Sequence, residues 1–283
     1  MQHVPTKILL FFLLFSLVPG FSWAGPEQDL KVFRKYFLTK FPDVPLYDFV
    51  NGIYAIDKSR RTEWEAMEEF PPYEIEVAKG EELFKKKFRN GKSLATCFKN
   101  GGIGIRQAFP YFDRKQQKVI TLELAINDCL KKNGERPLSY AKGELAQVSA
   151  YMAWTSRGRK ISIKTPSSPD ELKAYNAGKS FFYARRGQLN FSCAHCHVAN
   201  AGLMMRADLL SPALGHVSHF PVYRKKWESQ GKPMGTLHRR FIGCIKQARA
   251  KAFKAQSEDY RNLEYFLTYM SNGLPINGPG IRP

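Results

Sequence analysis

Apolar positions along the chain change their period from segment to segment. Residues 8–18 form an almost unbroken apolar run behind Lys7, closed by Pro19 and Gly20. Ser22 and Ala24 then supply small residues around Trp23. The run is shorter than the roughly twenty residues that span a bilayer. A basic start, an apolar middle and a small-residue end are the layout of a secretory signal. Cleavage is expected after Ala24, so residues 1–24 are the signal peptide and the mature chain is periplasmic. No second stretch of spanning length follows, so no membrane span is expected.

Helical spacing appears further on. Residues 169–186 carry apolar and aromatic positions at helix period behind the start signal Pro169-Asp170-Glu171. Residues 241–253 place Ile242, Ile245, Ala248 and Ala252 on one stripe. Residues 260–270 predict a third helix, stopped by Asn272-Gly273 and Pro275. Residues 157–169, with Pro166, Ser167, Ser168 and Pro169, predict a linker. Residues 272–280 read as a turn-rich tail, and residues 25–60 as an N-terminal extension without an assigned place.

The chain also repeats itself. Gly80-x-x-x-Phe84 recurs as Gly178-x-x-x-Phe182, each followed by a basic segment and a cysteine, Cys97 or Cys193. Thr121-Leu122 and Cys129-Leu130 recur at the same spacing as Thr236-Leu237 and Cys244-Ile245. Leu145 and Tyr151-Met152 recur as Leu263 and Tyr269-Met270. Matched landmarks in one order predict two copies of one domain, and 283 residues are enough for both.

The second copy contains Cys193-Ala194-His195-Cys196-His197. Cys-x-x-Cys-His is the attachment site of c-type haem, with two thioethers and an adjacent axial histidine. A zinc site would need a second ligand pair, which the sequence lacks. A thioredoxin-like pair would follow a strand, whereas a basic, aromatic helical stretch precedes this one. The expected fold is mainly α, with two tandem cytochrome c-like domains. The first, residues 61–160, is haemless; the second, residues 161–283, holds one covalent c-type haem through Cys193 and Cys196, with His197 on the iron.

Five cysteines leave three after haem attachment, in a compartment that forms disulfides. After Cys97 come Phe98-Lys99-Asn100, with no second cysteine and no histidine, so the first copy has lost its motif. Its two cysteines, Cys97 and Cys129, are the expected disulfide. Cys244 is then odd. It follows Arg239-Arg240 and precedes Lys246 and Arg249, and Arg240 lies one helical turn before it. Nearby cations lower a thiol's pKa and favour thiolate, a nucleophile and a soft metal ligand. Arginine's planar fork suits a sulfur oxyanion such as thiosulfate. For the second face of the iron, Cys244 competes with Met234, Met270, His216, His219 and His238; Met204 and Met205 are expected to pack. The same cations also suit a solvated helix face.

The formal net charge of +19 calls for an acidic partner or an anionic substrate. Export, scattered basic residues and the lack of a recognition motif argue against nucleic acid.

Arg240-x-x-x-Cys244 with Gln247 and Arg249, behind a Cys-x-x-Cys-His domain and a second cytochrome-like copy, resembles the SoxA family. These are catalytic subunits of L-cysteine S-thiosulfotransferase in bacterial thiosulfate oxidation. The resemblance covers nearly the whole mature chain, including Phe182-Tyr183-x-Arg185-Arg186-Gly187-Gln188-Leu189-Asn190-Phe191. It implies the single-haem branch, because Cys97 stands without the rest of its motif. It implies that Cys244 is the distal haem ligand and carries a persulfide in turnover, and that Arg240 binds substrate. The implied partners are a small SoxX-type cytochrome c and the SoxYZ carrier, whose mobile cysteine receives the thiosulfate. Two other readings stay open: a His/Met electron carrier in which Cys244 is incidental, and a tetrathionate-forming thiosulfate dehydrogenase.

Overall fold

The computed structural model describes residues 25–282, so the signal segment lies outside the described residues. The fold is mainly helical, with short strands. Helices α1 (Pro26–Lys40), α2 (Ile53–Ile56) and α3 (Lys58–Glu68) form the N-terminal part. Helices α4 (Tyr73–Lys85), α5 (Leu122–Lys132) and α6 (Glu144–Trp154) follow, then α7 (Pro169–Tyr183), α8 (Lys225–Glu228), α9 (Leu237–Gln247) and α10 (Glu258–Met270). Among the described residues, no helix is long and apolar enough to cross a membrane.

Two hydrophobic clusters form. One gathers Tyr73, Phe84, Leu122, Ile126, Leu145 and Met152. The other gathers Tyr175, Phe182, Phe241, Leu263, Phe266 and Tyr269. In each, an N-terminal helix crosses a C-terminal one: α4 on α6, and α7 on α10. The repeated glycine sits at the crossing. A Cβ on Gly80 would stand 2.0 Å from the Gln147 carbonyl oxygen, and one on Gly178 would stand 2.0 Å from that of Asn262. Only a hydrogen in place of Cβ lets the backbones approach so closely. Phe84 and Phe182, one turn on, fill the space beside the crossing and are buried at 2% and 1% exposure.

The remaining landmarks also match in structure. α5 and α9 are both 11 residues long and both follow a threonine. Thr121 caps α5 by accepting from Leu124 N at 3.1 Å. Thr236 instead turns its hydroxyl to the Tyr140 carbonyl at 3.1 Å, joining the two halves. Cys97 and Cys129 form the expected disulfide, with Cα atoms 5.9 Å apart.

α7 starts as the sequence predicts. Pro169 opens it, the Ser168 hydroxyl accepts from Glu171 N, and the Glu171 carboxylate accepts from Ser168 N. The helix expected at 241–253 lies earlier, as α9. It ends where Arg249 takes a φ of 54° and its chain meets the turn before the haem motif. There Leu189 N donates to the Ala248 carbonyl, and a Cβ on Gly187 would stand 2.0 Å from that oxygen.

The 157–169 segment is no loose linker. Ile161 and Ile163 are buried, and the segment exchanges backbone hydrogen bonds with Gly273, Leu274 and Ile276. The tail also does more than turn. Its strand β7 (Gly280–Arg282) pairs in parallel with β5 (Val222–Arg224), which pairs antiparallel with β6 (Met234–Gly235). Two hairpin-like ribbons complete the strands: β1 (Tyr111–Asp113) with β2 (Lys118–Ile120), and β3 (Met204–Met205) with β4 (Asp208–Leu209). The N-terminal extension packs Phe33, Phe37 and Phe49 into the second cluster. Asp29 ties it to Lys179 at 2.6 Å.

Gly178→Ala should cost about 3 kcal/mol in urea unfolding, since the added methyl meets backbone rather than a movable side chain; unchanged stability would place the crossing elsewhere. Non-reducing peptide mapping should recover Cys97 joined to Cys129. Replacing both by serine should lower stability by about 3–4 kcal/mol, from the loop-closure estimate for a separation of 32 residues.

Candidate functional site

The haem motif folds as one tight turn. Ser192 Oγ accepts from His195 N at 2.9 Å and starts it. A π-helical stretch, His195–Ala199, carries it on. α1 closes its far end, where Lys40 Nζ donates to the Val198 and Ala199 carbonyls at 3.1 and 2.6 Å and Tyr36 adds a bond to Val198. The extension therefore fixes the turn that holds Cys193, Cys196 and His197.

His197 Nδ1 lies 2.8 Å from the Ser211 carbonyl. A carbonyl only accepts, so Nδ1 carries the proton and Nε2 is left with its lone pair. This is the second-shell arrangement that readies a histidine for a metal. The three sulfur and imidazole groups line a cavity of about 280 Å³. Its other walls are largely apolar, from Phe182, Leu210, Val217, Phe241, Leu263 and Leu267. Two free thiols on one turn, one oriented imidazole and apolar walls fit a covalent haem.

α9 forms the opposite wall. Its buried side holds Leu237, His238, Phe241 and Ile245. Arg240, Cys244 and Gln247 follow at helical spacing and line the cavity. Burial alone would push the Cys244 thiol up. The charges of Arg240 and Arg224, with His197 close by, outweigh it and hold the thiol at about 7. Cys193, by contrast, is pushed up to about 12 by burial and by Cys244 beside it. The structure thus faces one thiolate-prone sulfur toward His197.

The competing ligands separate cleanly. Met234 lies in the other cluster at 1% exposure, and Met270 is buried outside the cavity wall. His238 is buried against Glu264, with Nε2 3.1 Å from Oε2. His219 is buried and also absent from this cavity's wall. His216 does line it, but its ring meets His197 edge to face, with centroids 4.8 Å apart. Met204 is 53% exposed rather than packed, while Met205 lines the cavity.

Sequence reasoning missed Arg224. It is 5% exposed, lies close enough to Cys244 and Arg240 for their charges to interact, and has its pKa lowered to about 10, chiefly by burial. No local signal marks it: it reaches the site from β5, twenty residues from Cys244 in sequence. The arrangement can hold a haem, present a thiolate to it, and bind an anion beside that sulfur.

Residues 79–161 match the family model of the SoxA/TsdA cytochrome c domain. That stretch is the half with the Cys97–Cys129 disulfide rather than the half with Cys193 and Cys196. The chain is 54% identical over 256 residues to "L-cysteine S-thiosulfotransferase subunit SoxA" of Chlorobaculum tepidum, covering 90% of this chain and 87% of that protein. It is 52% identical over 260 residues to the protein of the same name from Allochromatium vinosum, covering 92% and 91%. Its fold is similar to the crystal structure of SoxXA from P. pantotrophus, with a TM-score of 0.67 and 31% identity over 75% of this chain and 79% of that one.

Proposed function

The chain belongs to the SoxA family, and from that premise we propose that it is the catalytic subunit of a periplasmic, thiosulfate-oxidising L-cysteine S-thiosulfotransferase. One observation carries the reading: Cys244 faces His197 with Arg240 one turn away and its thiol held at about 7. An electron carrier has no need of a thiolate-prone sulfur beside a guanidinium.

Cys193 and Cys196 would hold a covalent haem by thioethers, and His197 Nε2 and Cys244 would be the donors to its iron. When bound, the haem supplies one-electron redox chemistry. The haem count is one per chain, because the disulfide occupies the cysteine of the first copy. The two clusters and their glycine crossings support reading the chain as tandem cytochrome c-like domains, the first haemless, behind a cleaved signal.

The net reaction joins a carrier cysteine to thiosulfate: carrier–SH plus S₂O₃²⁻ gives carrier–S–S–SO₃⁻, one proton and two electrons. Cys244 is the covalent relay: as a persulfide it joins thiosulfate, with two electrons lost to the partner cytochrome, to give Cys244–S–S–S–SO₃⁻, and the carrier thiol then takes the –S–SO₃⁻ group, releasing a proton and returning the persulfide. Arg240 holds the sulfonate oxygens by charge-assisted bonds and offsets charge as two anionic sulfur centres meet. The electrons leave to a SoxX-type cytochrome c, and the thiosulfate leaves on the mobile cysteine of a SoxYZ carrier. The strongly basic charge suits such anionic substrates.

Intact mass of the purified mature chain should show a single haem increment; two would overturn the haemless first copy. Cys244→Ala should abolish carrier-coupled thiosulfate turnover while leaving covalent haem. Arg240→Ala should keep a thiolate-type haem spectrum and lose most turnover, by about a hundredfold for a lost charge-assisted pair in the transition state. Arg240→Lys should recover part, since a point charge does not reproduce the fork. Wild-type turnover in Cys244→Ala would leave a cytochrome that only carries electrons.

A further inference from the structure

A second, smaller cavity of about 80 Å³ adjoins the first, sharing His197, His216, Asp208, Arg240 and Gln247 in its walls. It has room for a few waters or one small oxyanion. Arg60 lines it too, and so do Arg224 and Arg282. These last two are register partners on the parallel strands β5 and β7, so their side chains leave the sheet side by side. Arg224 lies over Trp227 at 5.4 Å, and Arg282 lies over Tyr54 at 4.8 Å. Arg282 also donates to the Asn51 carbonyl at 3.2 Å, which fixes its fork.

Three guanidiniums, of Arg224, Arg240 and Arg282, therefore converge on one small space, while Arg60, also on its wall, is paired with Asp57 at 3.3 Å. Burial lowers both Arg224 and Arg282 to about 10. The carboxylates that act on them are Asp208, for Arg224, and Glu68, for Arg282. Asp208 is shared with Lys226 at 3.9 Å. Glu68 already accepts from Trp64 at 2.8 Å and from Tyr73. His216, facing all three arginines, is held neutral by burial and by its cationic neighbours. A cavity walled by guanidiniums beside Cys244 suits an anion.

We propose that Arg224 and Arg282, with Arg240, form an oxyanion subsite that seats the sulfonate group of thiosulfate with its terminal sulfur turned toward Cys244. The proposal rests on the thiosulfotransferase reading and deepens it. Arg240 stands on the wall between the two cavities and contacts the reacting end. Arg224 and Arg282 lie behind it and bind oxygens that do not change in the reaction. Planar forks from separate strands suit a tetrahedral sulfonate, whose oxygens point in several directions. Interactions made equally in ground and transition states lower KM without raising kcat.

The test uses the haem-loaded complex with its partner cytochrome and carrier. Arg282→Gln should raise KM for thiosulfate about tenfold or more with kcat nearly kept, as for a lost charge-assisted bond. Arg224→Gln should raise KM as far and also lower kcat, because its charge helps to hold the Cys244 thiol down. Calorimetric titration with sulfate, which lacks the terminal sulfur and cannot react, should show the same loss of affinity in both. The haem spectrum should stay unchanged in Arg282→Gln. Arg282→Lys keeps charge and strand, and should bind sulfate between wild type and Arg282→Gln; it also serves if the glutamine variant does not fold. If wild-type protein does not turn over thiosulfate, the functional reading fails, and sulfate affinity still reports on the subsite. If turnover is present but KM and sulfate affinity are unaltered in the variants, the subsite is wrong.

Discussion

The crossing of α7 over α10 at Gly178 is the constraint on which the rest of the site depends. Two backbones that meet with no Cβ between them leave one relative position for both helices. α10 then presents Leu263 and Leu267 to the cavity, and the end of α7 presents Phe182. The turn with Cys193 and Cys196 starts just beyond α7, so its distance from the opposite wall is inherited from that contact. The same crossing at Gly80 builds the other half, which is why a glycine and a phenylalanine four residues apart recur in both.

The two halves share more than a pattern. Glu264 on α10 reaches toward Arg106 of the first half at 3.9 Å and toward His238 on α9 at 3.1 Å. All three are nearly fully buried. Glu123, beside them, has its pKa raised by burial and by Glu264. A buried network of this kind is weak evidence for stability and better evidence for a specified geometry. Here it ties α9, the carrier of Cys244 and Arg240, to an element of the other half.

Much of this was legible in the sequence, and the divide is one of range. Cysteine spacing, the Pro169-Asp170-Glu171 helix start and the matched threonines are local, so their structural meaning survives without coordinates. The end of α9 was not legible, because a contact with Gly187 decides it rather than helix propensity. Residues 25–60 had no assigned place because their work is long-range, as Lys40 reaching Val198 and Ala199 illustrates. Arg224 and Arg282 are 58 positions apart and meet only through a parallel strand pair. The tail that supplies Arg282 reads as turns, since three residues of strand carry almost no periodic signal.

The disulfide also has a bearing on how such a chain is made. Cys97 and Cys129 are oxidised, whereas the proposed function asks Cys193 and Cys196 to stay reduced until each has added to a vinyl group. Cys244 must remain unpaired throughout, although it sits within electrostatic reach of both haem-site thiols. One polypeptide therefore asks for opposite redox treatment of sulfurs at equivalent positions of its two halves. Burial helps to separate them: the haem-site thiols are pushed up and kept protonated, which slows their attack on any disulfide. Maturation becomes a kinetic sorting problem, with haem insertion racing against mispairing of three neighbouring thiols.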